Sequence, residues 1–385
     1  MLDSSLFSDY YQDMGIFLYL IPIVSCFWAA FALLANKKHS HPQVYLAVCM
    51  LVIGIGMILS FWRDRYAATD HNEIIRAINP VMTMFGAISV LFYFMSLLKP
   101  QRLTKRYIFF HILFAIVFAG VFFLLEKRYG TTLNWDIILS TPSETAVIIR
   151  LSALACLIGF EIYVGIVCLY EYFRYQKFIK ETFSYEEDIN LNWIGYCIIL
   201  FAIYAASDLL WMINASVFVK GLFGISAFVA TVCLFWLGFR QGEVPIEEEN
   251  ETDLSPAEEH GETTPSNYLM IKQEWLKQSL LDYFLGEKPY LNPDLNLDDV
   301  SKALGTNKTY LSQLINREFE MNFYTFVNQY RIDYAIQLIE NYDKRTLMTT
   351  QLFSDSGFKS RSVFYKLFKE TTGYSPTDYI SKLEK

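Results

Sequence analysis

Hydrophobic runs long enough to cross a bilayer recur seven times before residue 240, at 16–35, 44–62, 78–98, 107–125, 146–170, 193–213 and 221–239. Crossing about 30 Å of hydrocarbon takes roughly 20 helical residues at about 1.5 Å each. The fifth run is interrupted by Arg150 and Glu161, so its boundary is the least defined. Trp28, Trp62, Tyr107, Trp193, Trp211 and Trp236 cluster near run ends, where an interfacial aromatic belt places them. Composition agrees. Charged residues make up 19% of the 385, against about 25% in an ordinary soluble chain. The shortfall is concentrated before residue 240, the pattern of a membrane domain joined to a soluble one.

Basic residues in short loops set the expected orientation. The first 15 residues hold three Asp and no Lys or Arg, which places them outside. Inner loops then carry Lys37, Lys38, Lys99, Arg102, Lys105, Arg106, Arg174, Lys177, Lys180 and Arg240. Outer segments carry Arg63, Arg65, Arg76, Lys127, Arg128 and Lys220. Ten against six is a moderate bias. An odd number of spans from an outside start delivers the C-terminus to the cytoplasm. The first run reads as an anchor and not a cleaved leader, because it is long, lacks a basic n-region and has Lys37 and Lys38 on its far side.

Ionisable groups inside such runs are costly and are functional candidates by default. Glu161 falls near mid-span and Asp208 in the outer part of the sixth run; both are candidate intramembrane sensing residues. The bland alternative is that they bond neighbouring helices, that Arg150 snorkels and that His111 is interfacial. The outer loops 63–77 and 126–145 could face a ligand, though nothing in them names one. The six cysteines, Cys26, Cys49, Cys156, Cys168, Cys197 and Cys233, all fall inside hydrophobic runs and read as small apolar residues. No zinc spacing, HExxH, GxSxG or phosphate-loop motif occurs, and the seventh run has no Lys for a retinal Schiff base. No cofactor, metal or catalytic residue is expected, and the chain is not read as an enzyme.

Residues 241–267 form an acidic tether. Nine acids (Glu243, Glu247, Glu248, Glu249, Glu251, Asp253, Glu258, Glu259 and Glu262) stand there without a Lys or Arg, more than the whole net charge of -8. Pro256 and Pro265 add to its extended character. Beyond it, helical periodicity returns. Leu269, Trp275, Leu276, Leu280, Tyr283 and Phe284 fall on one face of a helix near 268–285. Leu297, Val300, Leu304, Leu311, Leu314, Ile315 and Phe319 are spaced for two short helices on one core, with Gly305 at the turn and Asn307 as N-cap. That is a helix-turn-helix. A long helix near 323–341 follows. A second pair then occupies about 346–354 and 360–370, with Gly357 at the turn and Ser360 as cap.

Over about 292–380 the chain resembles the DNA-binding domain of the AraC/XylS family of bacterial transcription activators. The matching residues are LDDVSKALGTNKTYLSQLI, then Asn328, Arg331, Ile332 and Ala335, then GFKSRSVFYKLFKETTGYSPTDY. The resemblance implies two helix-turn-helix units, each laying its second helix in the major groove of double-stranded DNA. On the first such helix it exposes Lys308, Thr309, Tyr310, Ser312 and Gln313; on the second, Lys359, Ser360, Arg361, Ser362, Tyr365 and Lys366. Gln can bond adenine and Arg guanine, each with two hydrogen bonds. Arg317 and Lys369 are better placed to meet phosphates. Tyr310 and Tyr365 could instead pack against their own domain. Where the family usually has Ala, this chain has Ser301 and Phe353, and a Phe at a close helix crossing needs compensating space. Residues 268–385 hold 15 basic and 15 acidic side chains, so the basic character is local to 359–369.

The expected fold is all-α: a seven-helix transmembrane domain at 1–240, a flexible linker at 241–267 and a double helix-turn-helix domain at 268–385. The expected function is a membrane-bound, sequence-specific transcriptional regulator in the bacterial inner membrane, responsive to an unidentified signal ligand and controlled through pairing as a homodimer. The alternatives are a transporter or enzyme with the helix-turn-helix as a docking or autoregulatory appendage, or a constitutive regulator for which the membrane is only an anchor.

Overall fold

The computed structural model describes residues 4–36, 40–66, 78–129, 135–141, 143–186, 189, 191–213, 216–240, 266–341 and 349–383. The tether expected at 241–267 lies outside them up to residue 265, as do Lys37, Lys38 and most of the outer loop 63–77. Among the described residues the regular structure is helical, apart from one isolated antiparallel bridge between Phe183 and Asn296. The all-α expectation holds. The chain divides into two compact units, one of Met1–Phe173 with Leu191–Ile246, the other of Arg174–Asn190 with Glu247–Lys385.

The first unit is built from α1 (Ser4–Ala35), α2 (His41–Tyr66), α3 (Ile78–Leu98), α4 (Lys105–Tyr129), a short α5 (Trp135–Ser140), α6 (Thr145–Thr182), α7 (Asn192–Ile213) and α8 (Val217–Arg240). The residues of α6 from Arg174 onward belong to the second unit. Each predicted run lands on one of these helices. Six of them, α2, α3, α4, α6, α7 and α8, are long and apolar enough to cross a membrane; in α1 the described apolar stretch is the shorter Leu20–Ala35. α6 continues well past the predicted end at 170, because Tyr175 and Ile179 give it a second buried face beyond the apolar run.

Many large apolar side chains of this unit face outward. Phe110 and Leu124 on α4, Phe173 on α6 and Phe218 on α8, the last 82% exposed, are examples. Two of the buried charged groups of this unit, Arg150 and Glu171, are held in ion pairs. Arg150 does not snorkel: it is buried, and its Nη2 lies 3.2 Å from the Glu126 carboxylate of α4. A partner within reach lets the guanidinium stay inside, where an unpaired charge could not. Glu171, also buried, meets Arg102 at 2.5 Å.

The second unit contains α9 (Ser266–Gly286), a 3-10 turn (Pro289–Leu291), α10 (Leu297–Ala303), α11 (Lys308–Phe319), α12 (Phe323–Asn341), α13 (Thr349–Asp355), α14 (Arg361–Thr372) and α15 (Pro376–Leu383). α9 covers the first helix pair with Leu276, Leu280 and Phe284. Trp275, expected on that face, is turned out and 61% exposed. It sits one residue, about 100° of helix, from Leu276. Long α12 joins two cores. Phe323, Phe326 and Val327 pack into the first, with Leu297, Val300, Leu311 and Ile315. Ile332, Ala335 and Ile339 pack into the second, with Leu352, Phe358, Phe364 and Phe368. Phe353 is accommodated because it stands half-buried at the edge of that second core, while Ser301 is fully enclosed and bonds the Asp298 carbonyl at 2.9 Å.

Candidate nucleic-acid interface

Local chemistry starts each of these short helices in a different way. α10 opens on a reciprocal capping box, with the Asn296 side chain accepting from the Asp299 N–H at 3.1 Å and the Asp299 carboxylate accepting from the Asn296 N–H at 3.3 Å. Asn307 caps α11 as expected, accepting from the Tyr310 N–H at 2.7 Å. Ser360 does not cap α14 with its side chain, although it occupies the N-cap position; its hydroxyl bonds Ser362 Oγ at 2.8 Å instead. α15, not foreseen as a separate helix, is legible in Ser375, Pro376 and Asp378. Ser375 Oγ accepts from the Asp378 N–H at 3.2 Å, and Pro376 fills the first helical position.

The two helices show the same division. α11 buries Leu311, Leu314 and Ile315 and exposes Thr309, Tyr310, Gln313 and Arg317, with Lys308 and Ser312 half-exposed. α14 buries Phe364 and Phe368 and exposes Arg361, Ser362, Lys366 and Lys369. Tyr310 is therefore free of its own core. Tyr365 is not: it packs against the second core while its hydroxyl accepts from Arg361 Nη2 at 3.1 Å. The Arg361 guanidinium also lies 5.0 Å from the Tyr365 ring centroid, which holds the fork in place on the exposed face.

Several expected cations are already engaged. Arg317 bonds Glu318 at 2.8 Å and Gln273 of α9 at 2.7 Å. Lys308 lies 3.6 Å from Asp298, whose carboxyl is held below the usual carboxylate range, first by its hydrogen bond from Lys302. Lys359 lies 2.9 Å from Asp294. Lys366 and Lys369 have no ion-pair partner among the described residues.

Sequence reading named Arg331 only as a residue matching the family pattern, without a role; the structure shows that it ties the unit together. Arg331 on α12 is 1% exposed. Its Nε donates to the Tyr290 carbonyl at 2.7 Å and its Nη2 to the Asn292 carbonyl at 2.7 Å. Nη1 reaches Asn328 Oδ1 at 3.1 Å and the Ser184 carbonyl at 2.9 Å, and Nη2 also reaches Ser184 Oγ at 3.0 Å. A guanidinium presents five N–H donors in a fixed fork and suits such a ring of acceptors. Only its membership of the Asn328, Arg331, Ile332 and Ala335 pattern could have marked it beforehand.

In the first unit, Glu161 and Asp208 line one cavity of about 40 Å³ together with Ser60, Asn79, Thr83, Tyr204 and Trp211. Asp208 accepts a hydrogen bond from Thr83 Oγ1 at 2.5 Å. The fold thus brings the two predicted carboxylates to one small pocket, whose other walls include Val52, Met57, Phe201 and Phe223. Its volume admits water but falls far below the roughly 300–1,000 Å³ of a drug-sized ligand site. Among the described residues no cluster of His, Cys, Asp or Glu could hold a metal ion.

A helix-turn-helix domain family matches residues 300–382. Over 117 residues the chain is 27% identical to an uncharacterized HTH-type transcriptional regulator of Staphylococcus aureus (strain COL), a similarity covering 30% of this chain and 15% of that protein. No solved structure matches the chain. The capped short helices, the long α12 between two cores and the family match at one stretch of sequence agree: residues 300–382 are an AraC-type helix-turn-helix domain that follows an apolar helical region.

Proposed function

We propose that this protein is a membrane-bound, sequence-specific transcriptional regulator. The proposed division is a membrane domain over 1–240, an acidic tether over 241–267 and a DNA-reading head over 268–385. The observation that carries it is the pair α11 and α14. Each buries an apolar stripe in its own core and leaves a polar, hydrogen-bonding face open from its first turn. Such a face is what major-groove readout requires. Lys308, Thr309, Tyr310, Ser312 and Gln313 read from the first helix; Lys359, Ser360, Arg361, Ser362, Tyr365 and Lys366 read from the second. Lys369 meets phosphate. Arg317 does so once it leaves Glu318.

Membrane placement is supported by six long apolar helices and by the outward apolar side chains of the first unit. A soluble monomer rarely exposes an apolar patch beyond a few hundred Å². The basic-residue count favours a cytoplasmic head, which is where DNA is. Glu161 and Asp208 are the proposed sensing groups, as buried carboxylates facing a shared small cavity. The size of that cavity favours protons or water over an organic substrate. Pairing of the heads as homodimers is the proposed output, since a connection as long and acidic as 241–267 favours control by proximity over control by torque.

Genome-wide DNA occupancy of the full-length protein, compared with an Arg361→Ala variant, tests the reading. Loss of one bidentate base contact, about 1–3 kcal/mol, should weaken preferred sites about 5- to 150-fold while leaving background binding nearly unchanged. Occupancy without any sequence preference in the parent protein would refute it.

A further inference from the structure

The connection between α6 and α7 contains a segment whose partners lie in the reading head. Within the second unit, residues 183–185 run extended alongside Leu295 and Asn296, and Phe183 forms an antiparallel bridge with Asn296. The Ser184 N–H donates to the Leu295 carbonyl at 3.2 Å, and the Ser184 hydroxyl donates to the same oxygen at 2.6 Å. The Ser184 carbonyl accepts from Arg331 Nη1 at 2.9 Å and from Asn328 Nδ2 at 3.3 Å. Ser184 is completely enclosed. Next to it, the Tyr185 ring lies under Lys359, with Nζ 4.5 Å from the centroid.

We propose that residues 183–185 are a strap by which the α6–α7 connection docks on the DNA-reading head and holds it in a state of reduced DNA affinity. The inference rests on the reading of the head as a DNA-binding module. Three features point to regulation and not to plain packing. Tyr185 and Asp294 between them occupy Lys359, a cation needed at the DNA surface, so phosphate and strap compete for one ammonium. Undocking of the strap would leave part of the head's own bonding in place. Of the five acceptor contacts of Arg331 given above, those to Tyr290, Asn292 and Asn328 remain within the head when Ser184 leaves. Finally, the strap is covalently continuous with two apolar helices of the first unit. Nine residues of chain, 183–191, separate the two helix ends, against the 27 residues of the tether at 241–267, so the strap is the shorter route from either helix to the head. Arg174, Lys177 and Lys180, among the basic residues that set the expected orientation, put this connection on the same expected side of the membrane as the head.

The test uses the full chain in detergent or nanodiscs, with Phe183→Cys and Asn296→Cys facing each other across the bridge. Oxidation should form an intramolecular disulfide, read as a mobility shift that reductant reverses. Binding to a mixed-sequence DNA duplex should be about two- to five-fold weaker in the oxidised than in the reduced protein, the factor that a cation–π contact at an exposed site supplies. In the otherwise unaltered chain, Tyr185→Ala should tighten binding by a similar factor and steepen the salt dependence by about one phosphate contact. Failure to cross-link overturns the dock. Cross-linking with unchanged or tighter binding, or a Tyr185→Ala variant that binds like the parent, overturns the control of affinity. Should no duplex bind in either redox state, the DNA-reading proposal falls and the affinity claim with it, while the disulfide still decides the dock.

Discussion

Arg331→Met should unfold the reading head locally or outright. The Tyr290 and Asn292 carbonyls each receive a 2.7 Å hydrogen bond from this guanidinium deep in the unit, and Met offers neither donor. A buried acceptor left without a partner costs about 1–3 kcal/mol. Two of them cost about 2–6 kcal/mol, a large share of the roughly 5–15 kcal/mol that holds a typical domain. The guanidinium also lies 5.7 Å from the Phe358 ring centroid, so the loss reaches the second core as well. Arg331→Lys should not rescue, because an ammonium is a point donor and cannot span acceptors arranged for a planar fork. Hydrogen exchange of the α10–α12 amides in the full-length protein measures the effect. Amides as protected as in the parent would show that Arg331 does not carry these contacts. Strap variants at Tyr185 should leave the same amides protected, which separates docking from folding.

Gly357→Ala should be nearly as damaging, and Gly305→Ala much less so, although both glycines close helix-turn-helix turns at positive φ. Gly305 has φ +63° and open space where a Cβ would point. Its substitution meets only the left-handed backbone penalty, about 1–2 kcal/mol. Gly357 has φ +81°, and a Cβ there would stand 2.3 Å from the Tyr290 carbonyl oxygen and 2.7 Å from the Leu291 Cα. Both are backbone atoms of the 3-10 turn and cannot swing aside as a side chain would. Overpacking of about 1–3 kcal/mol adds to the backbone strain, for a total of about 2–5 kcal/mol. Urea midpoints of the two variants check the ranking; equal shifts would refute it. The contrast matters for function because Gly357 sets how the second helix pair abuts the chain leading into the first, and so how α14 stands relative to α11.

The helices themselves were legible. Apolar runs near the length of a bilayer, Asn307 before an amphipathic stretch and Gly305 and Gly357 between short helices are local features, and each produced the expected element. The long helix expected at 323–341 coincides with α12. Residues whose role depends on distant partners were not legible. Trp275 sits on the outer side of a helix whose apolar face is narrower than its sequence suggests. Ser360 bonds a neighbouring hydroxyl and not the backbone it was expected to cap. Arg150 has a carboxylate opposite it on α4, which no spacing within its own run reveals. Glu161 and Asp208 were singled out one at a time; only the bundle shows that they face the same cavity.

Chain order alone determined the alternation of apolar and acidic stretches, the helical periods and the turn chemistry, because these depend on interactions within a few residues. Tertiary packing decided the rest. It set which acceptors surround Arg331, which backbone crowds Gly357 and which loop lies against Leu295. Contacts across 100 or more residues follow from how whole surfaces fit, and a polar group such as Ser184 acquires its meaning only from the groups that enclose it.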